Sequence, residues 1–229
     1  MRLLHTADWH LGRQFHNISL LDDQRIVLGQ MVELIEREEV DAVLVSGDIY
    51  DRSVPPTSAI ALLDEVLDNI CNRLDVPVVM IAGNHDGAER LAFGSSHLTK
   101  AGLHIIGPLW ERPEPVILNR DGEQVAIYGI PYADPATVRA VHGVDVHSHD
   151  QAMAYLTEQI RDHSRDIQGS TVVLSHCFLA GFQSAESERP LCVGGAEQVS
   201  ARHFATFDYV ALGHLHGQQY RGSENIRYS

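Results

Sequence analysis

Val78-Val79-Met80-Ile81-Ala82-Gly83-Asn84-His85-Asp86 carries the clearest structural signal in the chain. Five apolar residues in succession, rich in β-branched side chains and too few for a helix, read as a strand buried on both faces. A glycine follows, then three polar residues with no packing use directly behind such a strand. Taken alone, the run also fits an Asx turn carrying a solvated histidine.

The same layout recurs on both sides. Apolar runs at 2–5, 42–46, 104–106, 125–130, 171–175 and 209–212 flank the one at 78–82, and longer stretches of helical period lie between several of them. This alternation predicts a layered α/β fold. Residues 21–38 are expected to form a helix with Ile26, Val27, Met31, Leu34 and Ile35 on one side and charges opposite. Residues 57–74 repeat the design after Pro55-Pro56, with Thr57 as N-cap and a broad apolar surface of Ile60, Leu62, Leu63, Val66, Leu67 and Ile70. A further helix is expected over 150–167. Asn119-Arg120-Asp121-Gly122 reads as a hairpin turn between 116–118 and 125–127, because Asp-Gly tolerates positive φ. No repeat or low-complexity tract interrupts the chain, and the polar stretch 183–189 reads as a long loop, so residues 1–229 are expected to be one domain.

Composition narrows the setting. The 229 residues, 44% of them hydrophobic, suffice for a substantial core. No apolar run reaches the length of a membrane span, and charge arrives too early for a signal peptide, so no membrane association is expected. Cys71, Cys177 and Cys192 form no C-x-x-C pair and are odd in number, which suits a reduced cytoplasm. A net charge of −14 is the wrong sign for a protein that grips nucleic acid by a broad basic surface.

Five apolar runs end in metal-type donors: Asp8-Trp9-His10, Gly47-Asp48, Gly83-Asn84-His85-Asp86, Ser175-His176 and Gly213-His214-Leu215-His216. In a layered α/β protein, ligands bind beyond the carboxyl ends of strands, so residues distant in sequence can meet there. Gly47, Gly83 and Gly213 are expected to let the backbone turn sharply. Alternation along extended segments is expected to place Asp8 beside His10 and His214 beside His216. Two carboxylates, one amide oxygen and four imidazoles suffice for two divalent ions only if a carboxylate bridges, and Asp48 is the natural bridge. Such ions, ~3.5–4 Å apart, activate water and clamp the attacking and leaving oxygens of a phosphate ester. Their charge exceeds that of Asp8 and Asp48, so the site stays cationic within an acidic chain. Mixed nitrogen and oxygen donors suit Mn²⁺, Fe or Zn²⁺ better than Mg²⁺. A lone Asp-x-His or Gly-Asp is a weak signal; the weight lies in the full set.

In this order and over the whole chain, these residues resemble the calcineurin-like metallophosphoesterase family. The resemblance implies a two-sheet β-sandwich flanked by helices. It implies a first ion held by Asp8, His10, Asp48 and His216, and a second by Asp48, Asn84, His176 and His214. His85 would contact the scissile phosphate and protonate or steady the leaving oxygen, with Asp86 as its orienting neighbour.

The opening Met1-Arg2-Leu3-Leu4-His5-Thr6-Ala7-Asp8-Trp9-His10-Leu11-Gly12, Gly47-Asp48-Ile49-Tyr50-Asp51 with Pro55-Pro56, and the strand entering Gly213-His214-Leu215-His216 are similar to the family's bacterial DNA-nuclease branch. That branch implies Mn²⁺-dependent cleavage of DNA, as a 3′-to-5′ exonuclease on duplex ends and an endonuclease on single strands and hairpins. It also implies an SMC-like ATPase partner in DNA-break processing. DNA-capping and ATPase-binding regions would lie beyond these residues and, with the ATPase, supply the basic contacts an acidic body lacks. A phosphodiesterase of small nucleotides is the alternative with the same chemistry. A non-catalytic scaffold would be expected to lack donors, and none is missing. Trp9 is expected to pack rather than to stack on a base. A homodimer is expected through the apolar face after Pro55-Pro56 together with Leu91, Phe93 and Leu98.

Overall fold

The structure is a computed structural model that describes residues 1–182, 197–220 and 224–229; the stretch 183–189 and Cys192 lie outside the described residues. Four strands, β1 (Leu3–Thr6), β2 (Ala42–Ser46), β3 (Val78–Ile81) and β4 (Leu103–Ile106), pair in parallel and in chain order. Six more form a mixed sheet: β5 (Val116–Arg120), β6 (Glu123–Ile130), β7 (Ser170–His176), β8 (Tyr209–Gly213), β9 (Gln219–Tyr220) and β10 (Ile226–Tyr228). Their spatial order is β9-β10-β8-β7-β6-β5, with β6, β7, β8 and β10 parallel.

Period-two alternation explains how the sheets stack. Leu44, Val79, Ile81, Val125, Ile127, Val172, Leu174 and Ala211 form one buried cluster between the two sheets. Their strand neighbours face outward: Val43, Val45, Val78 and Met80 on one side, Ala126, Tyr128, Ile130, Val173, Val210 and Leu212 on the other. Helices cover those outer faces, α1 (Leu21–Arg37) and α2 (Thr57–Leu67) on the first sheet, α3 (Pro135–His142) and α4 (His149–Ser164) on the second. The expected sandwich flanked by helices is thus present. Strands buried on both faces, such as β2 and β3, read as continuous apolar runs, which is why they are visible in the sequence.

Several details differ from expectation. Ile26 and Val27 are exposed, and α1 instead buries Leu28, Val32 and Ile35. Those three recur at i, i+4 and i+7, one stripe at 3.6 residues per turn, whereas Ile26 lies nearly opposite. Thr57 makes no cap; Pro56 occupies that position without a side-chain hydrogen bond, and α2 passes into a π-turn over Asp68–Arg73. Leu91, expected on an exposed face, is buried in the helix-side core, while Phe93 is 86% exposed. Trp9 packs as expected against that core, its indole N–H donating to Thr6 Oγ1.

α3 was not anticipated, although its signals are plain. Asp134 accepts hydrogen bonds from the Ala136 and Thr137 amides, Pro135 opens the helix, and Gly143 closes it at a φ of 67°. The Asp121-Gly122 hairpin formed as expected, both residues with positive φ. Among the described residues, no helix is long and apolar enough to cross a membrane.

Candidate metal centre

The carboxyl ends of β1, β2, β3, β7 and β8 converge, and backbone bonds extend past the sheet to hold their loops. The amides of Asp8, His10 and Leu11 donate to the carbonyls of Gly47, Asp48 and Ile49 at 3.0, 3.0 and 2.9 Å. Gln24, reaching from α1, donates to the carbonyls of Trp9 and His10 and accepts from the Gly12 amide. This lacing sustains unusual backbone. Asp8, His10, Asp48 and His214 all have positive φ, at 55°, 44°, 50° and 101°. For residues other than glycine that conformation costs on the order of 1–3 kcal/mol and persists where its surroundings enforce it.

Convergence therefore arises from kinked backbone, not from alternation along extended segments as the spacing suggested. The glycines also divide their work. Gly47 does turn, at a φ of 91°, but Gly83 and Gly213 serve close approach: a Cβ on Gly83 would strike the Asp48 carboxylate, and one on Gly213 the Ser46 carbonyl.

All seven expected donors come together. Asp48 Oδ2 lies 3.6 Å from His176 Nε2, 3.7 Å from His10 Nε2 and 3.9 Å from His85 Nε2. Its other oxygen accepts from the His85 amide at 2.9 Å. Around it two groups of donors separate. His10 Nε2 and His216 Nε2 are 3.1 Å apart, with Asp8 beside them. Asn84 Oδ1 lies 2.9 Å from His176 Nε2 and 3.0 Å from His214 Nδ1. Both Asp8 oxygens accept from the His214 amide, tying the groups together.

Tautomers follow from the hydrogen bonds. His176 Nδ1 must donate to the Ser46 carbonyl at 2.8 Å, which leaves a lone pair on Nε2. That lone pair faces Asn84 Oδ1 and Asp48 Oδ2, two further acceptors. Acceptors gathered without hydrogens between them are what a cation satisfies, so these residues fit divalent metal on their own geometry. Burial, reinforced by the surrounding imidazoles, pushes His10 down to about 2 and His214 to about 3. His176 is lowered to about 4, again chiefly by burial. His10, His176 and His214 are therefore neutral, as ligands must be, and the approaches of His10 and His176 to Asp48 are not ion pairs. Burial raises Asp48 to about 6, against the pull of the His85 amide and the nearby imidazoles.

His85 stands at the same cluster. Its Nδ1 donates to the Asp51 carbonyl at 3.0 Å, leaving Nε2 toward Asp48. Asp86, expected beside the ring, turns away and accepts from the amides of Ile49, Tyr50 and Gly83 at 3.1, 2.9 and 2.9 Å. A carboxylate that short reaches either its neighbour's ring or the facing loop, and the three amides win. Asp51, part of the motif at 47–51 but not among the expected site residues, also contributes. Its buried carboxylate lies 3.8 Å from His10 Nδ1, while its carbonyl holds His85.

The family model for calcineurin-like phosphoesterase matches residues 1–218. The SbcD subunit of the SbcCD nuclease from Staphylococcus epidermidis is 35% identical across all of this chain, which spans 60% of that relative's length. Among solved structures, TT1561 of Thermus thermophilus superposes with a TM-score of 0.57 at 12% identity, covering 99% of this chain and 86% of that one. GAP50 of Plasmodium, described as the anchor in the inner membrane complex, gives 0.55 at 13% identity, covering 100% and 70%. At such identities the two structures bear on fold alone.

Proposed function

The chain belongs to the calcineurin-like phosphoesterase family, and from that premise we propose that it is a Mn²⁺-dependent DNA nuclease that hydrolyses phosphodiester bonds. The observation that carries the reading is the position of Asp48, one carboxylate oxygen within 3.9 Å of three imidazoles and between two separate donor groups. Asp8, His10, Asp48 and His216 would hold one divalent ion, and Asp48, Asn84, His176 and His214 a second. When bound, such a pair supplies Lewis-acid polarisation of the phosphate and activation of water.

The chain's own residues supply the rest. His85, its Nδ1–H committed to the Asp51 carbonyl, has only Nε2 with which to serve substrate. Protonated there, it donates to the departing oxygen as the bond from phosphorus to that oxygen breaks and the oxygen of water adds. Asp86 holds the backbone of the Asp48 and Asn84 loops in register, so its part is positioning.

DNA as substrate, duplex ends and hairpins in particular, rests on the 35% identity to the SbcD nuclease subunit and on the resemblance of residues 1–12 to the family's DNA-nuclease branch. The same relationship supports SbcC, the ATPase subunit, as partner, action in the cytoplasm on DNA breaks, and capping regions beyond residues 1–229 of a single catalytic domain. A homodimer through the exposed apolar residues Ile60, Phe93 and Leu98 fits the same reading.

Cleavage of end-labelled duplex and hairpin DNA with Mn²⁺, beside Asp48→Ala, tests the proposal. Activity should disappear in the variant; wild-type rates there would remove the site. The net charge of −14 favours a second reading, a phosphodiesterase of small nucleotides. Faster turnover of cyclic nucleotides than of DNA would establish it.

A further inference from the structure

An arc of aromatic rings continues the second donor group outward. Ring centroids lie 5.8 Å apart from His149 to Tyr132, 6.4 Å from Tyr132 to His176, 5.1 Å from His176 to His214 and 6.5 Å from His214 to Phe178. His176 and His214 belong to the centre. Tyr132, His149 and Phe178 do not, and each is half-buried, Phe178 packing against the apolar cluster of the second sheet.

Tyr132 is the informative member. Tyr50, Tyr128, Tyr155, Tyr209 and Tyr228 all join or pack against an apolar cluster, whereas Tyr132 makes ring contacts with His149 and His176. Its backbone is fixed all the same, the amide donating to the Ala82 carbonyl at 2.9 Å, immediately before the loop that carries Asn84. Pro131 ahead of it restricts the chain further. A large planar ring on a fixed backbone thus stands beside the ligand His176 and against His149.

Resting on the nuclease reading, we infer that Tyr132, with His149 beside it, forms a stacking subsite for the base of the DNA nucleotide next to the scissile phosphate. Every base presents a π-face, so a rigid aromatic platform binds nucleotides without regard to sequence. The charge balance calls for such a term. With a net charge of −14 the chain offers little phosphate attraction outside the centre, and stacking is the affinity an acidic body can still provide.

The test uses a single-stranded oligonucleotide and its counterpart with one abasic residue beside the cleavage position. In the wild type, removing the base should raise KM about tenfold, a typical stacking contribution. Tyr132→Leu should bring the two substrates to within about twofold of each other, and Tyr132→Phe should restore the difference. Equal losses on both substrates would mark Tyr132 as merely structural and overturn the inference. A second readout is independent of turnover: a 2-aminopurine base at that position, bound with Ca²⁺, should be quenched by the wild type and by Tyr132→Phe but not by Tyr132→Leu. Binding without quenching overturns the subsite and leaves the nuclease reading intact. Absence of both binding and cleavage overturns the nuclease reading, and the subsite with it.

Discussion

His176 Nδ1 donates to the Ser46 carbonyl at 2.8 Å, joining the end of β7 in one sheet to the end of β2 in the other. Ser46 makes a second cross-sheet bond, its hydroxyl donating to the Ala211 carbonyl at 2.9 Å. The centre is therefore built on the seam of the sandwich, and one bond both fixes a ligand's tautomer and closes the fold.

That double role separates two histidines. His176→Ala leaves the Ser46 carbonyl buried and unpaired, so the metal-free protein should lose about 1–3 kcal/mol by urea unfolding. His216→Ala, at a half-buried loop position, should lose metal affinity with much less effect on metal-free stability. Equal destabilisation of the two variants would contradict the seam.

Gly213→Ala places a methyl group against the Ser46 carbonyl. Neither sheet can recede without opening the inter-sheet cluster, so a cost of roughly 1–3 kcal/mol is expected. Gly83→Ala presses on Asp48 itself and should weaken metal binding as well. Thermal unfolding and metal titration of the two variants distinguish these outcomes.

Asp86→Ala removes a buried acceptor from three amides. Stability should fall by about 1–3 kcal/mol. The pH profile of turnover should keep its shape, because the His85 ring is held by the Asp51 carbonyl. A displaced profile would make Asp86 a direct partner of the ring.

The metal-free protein should weaken as pH falls below 6.5. Burial holds His10 at about 2, His214 at about 3, and His5 and His176 at about 4, against an ordinary value of 6.5. Between 6.5 and about 4 the unfolded chain therefore takes up protons that the folded chain refuses, and stability drops. Asp48 and Asp86, raised by burial to about 6 from 3.8, act with the opposite sign between those values. Four groups outweigh two. The urea midpoint in chelator should fall between pH 7.5 and 5, and a rising midpoint would show the imidazoles to be charged.

The sandwich was legible because its central strands are buried on both faces and read as continuous apolar runs. The donor set was legible because each member stands directly behind such a run. Backbone conformation was not. Asp8 and His10 look like alternating residues of a strand, yet both have positive φ, imposed by hydrogen bonds to residues 47 and 48. The destination of the Asp86 carboxylate was equally hidden, since it depends on the amides of Ile49 and Tyr50, 37 and 36 residues earlier in the chain. Ile26 and Val27 misled because apolar character alone does not fix helix phase.

The account depends on Asp48 serving both groups of donors. Equilibrium dialysis against Mn²⁺ tests this directly, with Asp48→Ala compared with the wild type after unfolding curves show both to be folded. Two ions per wild-type chain and loss of affinity at both sites in the variant are the predicted result. Retention of either ion at wild-type affinity would show that the two groups do not share Asp48.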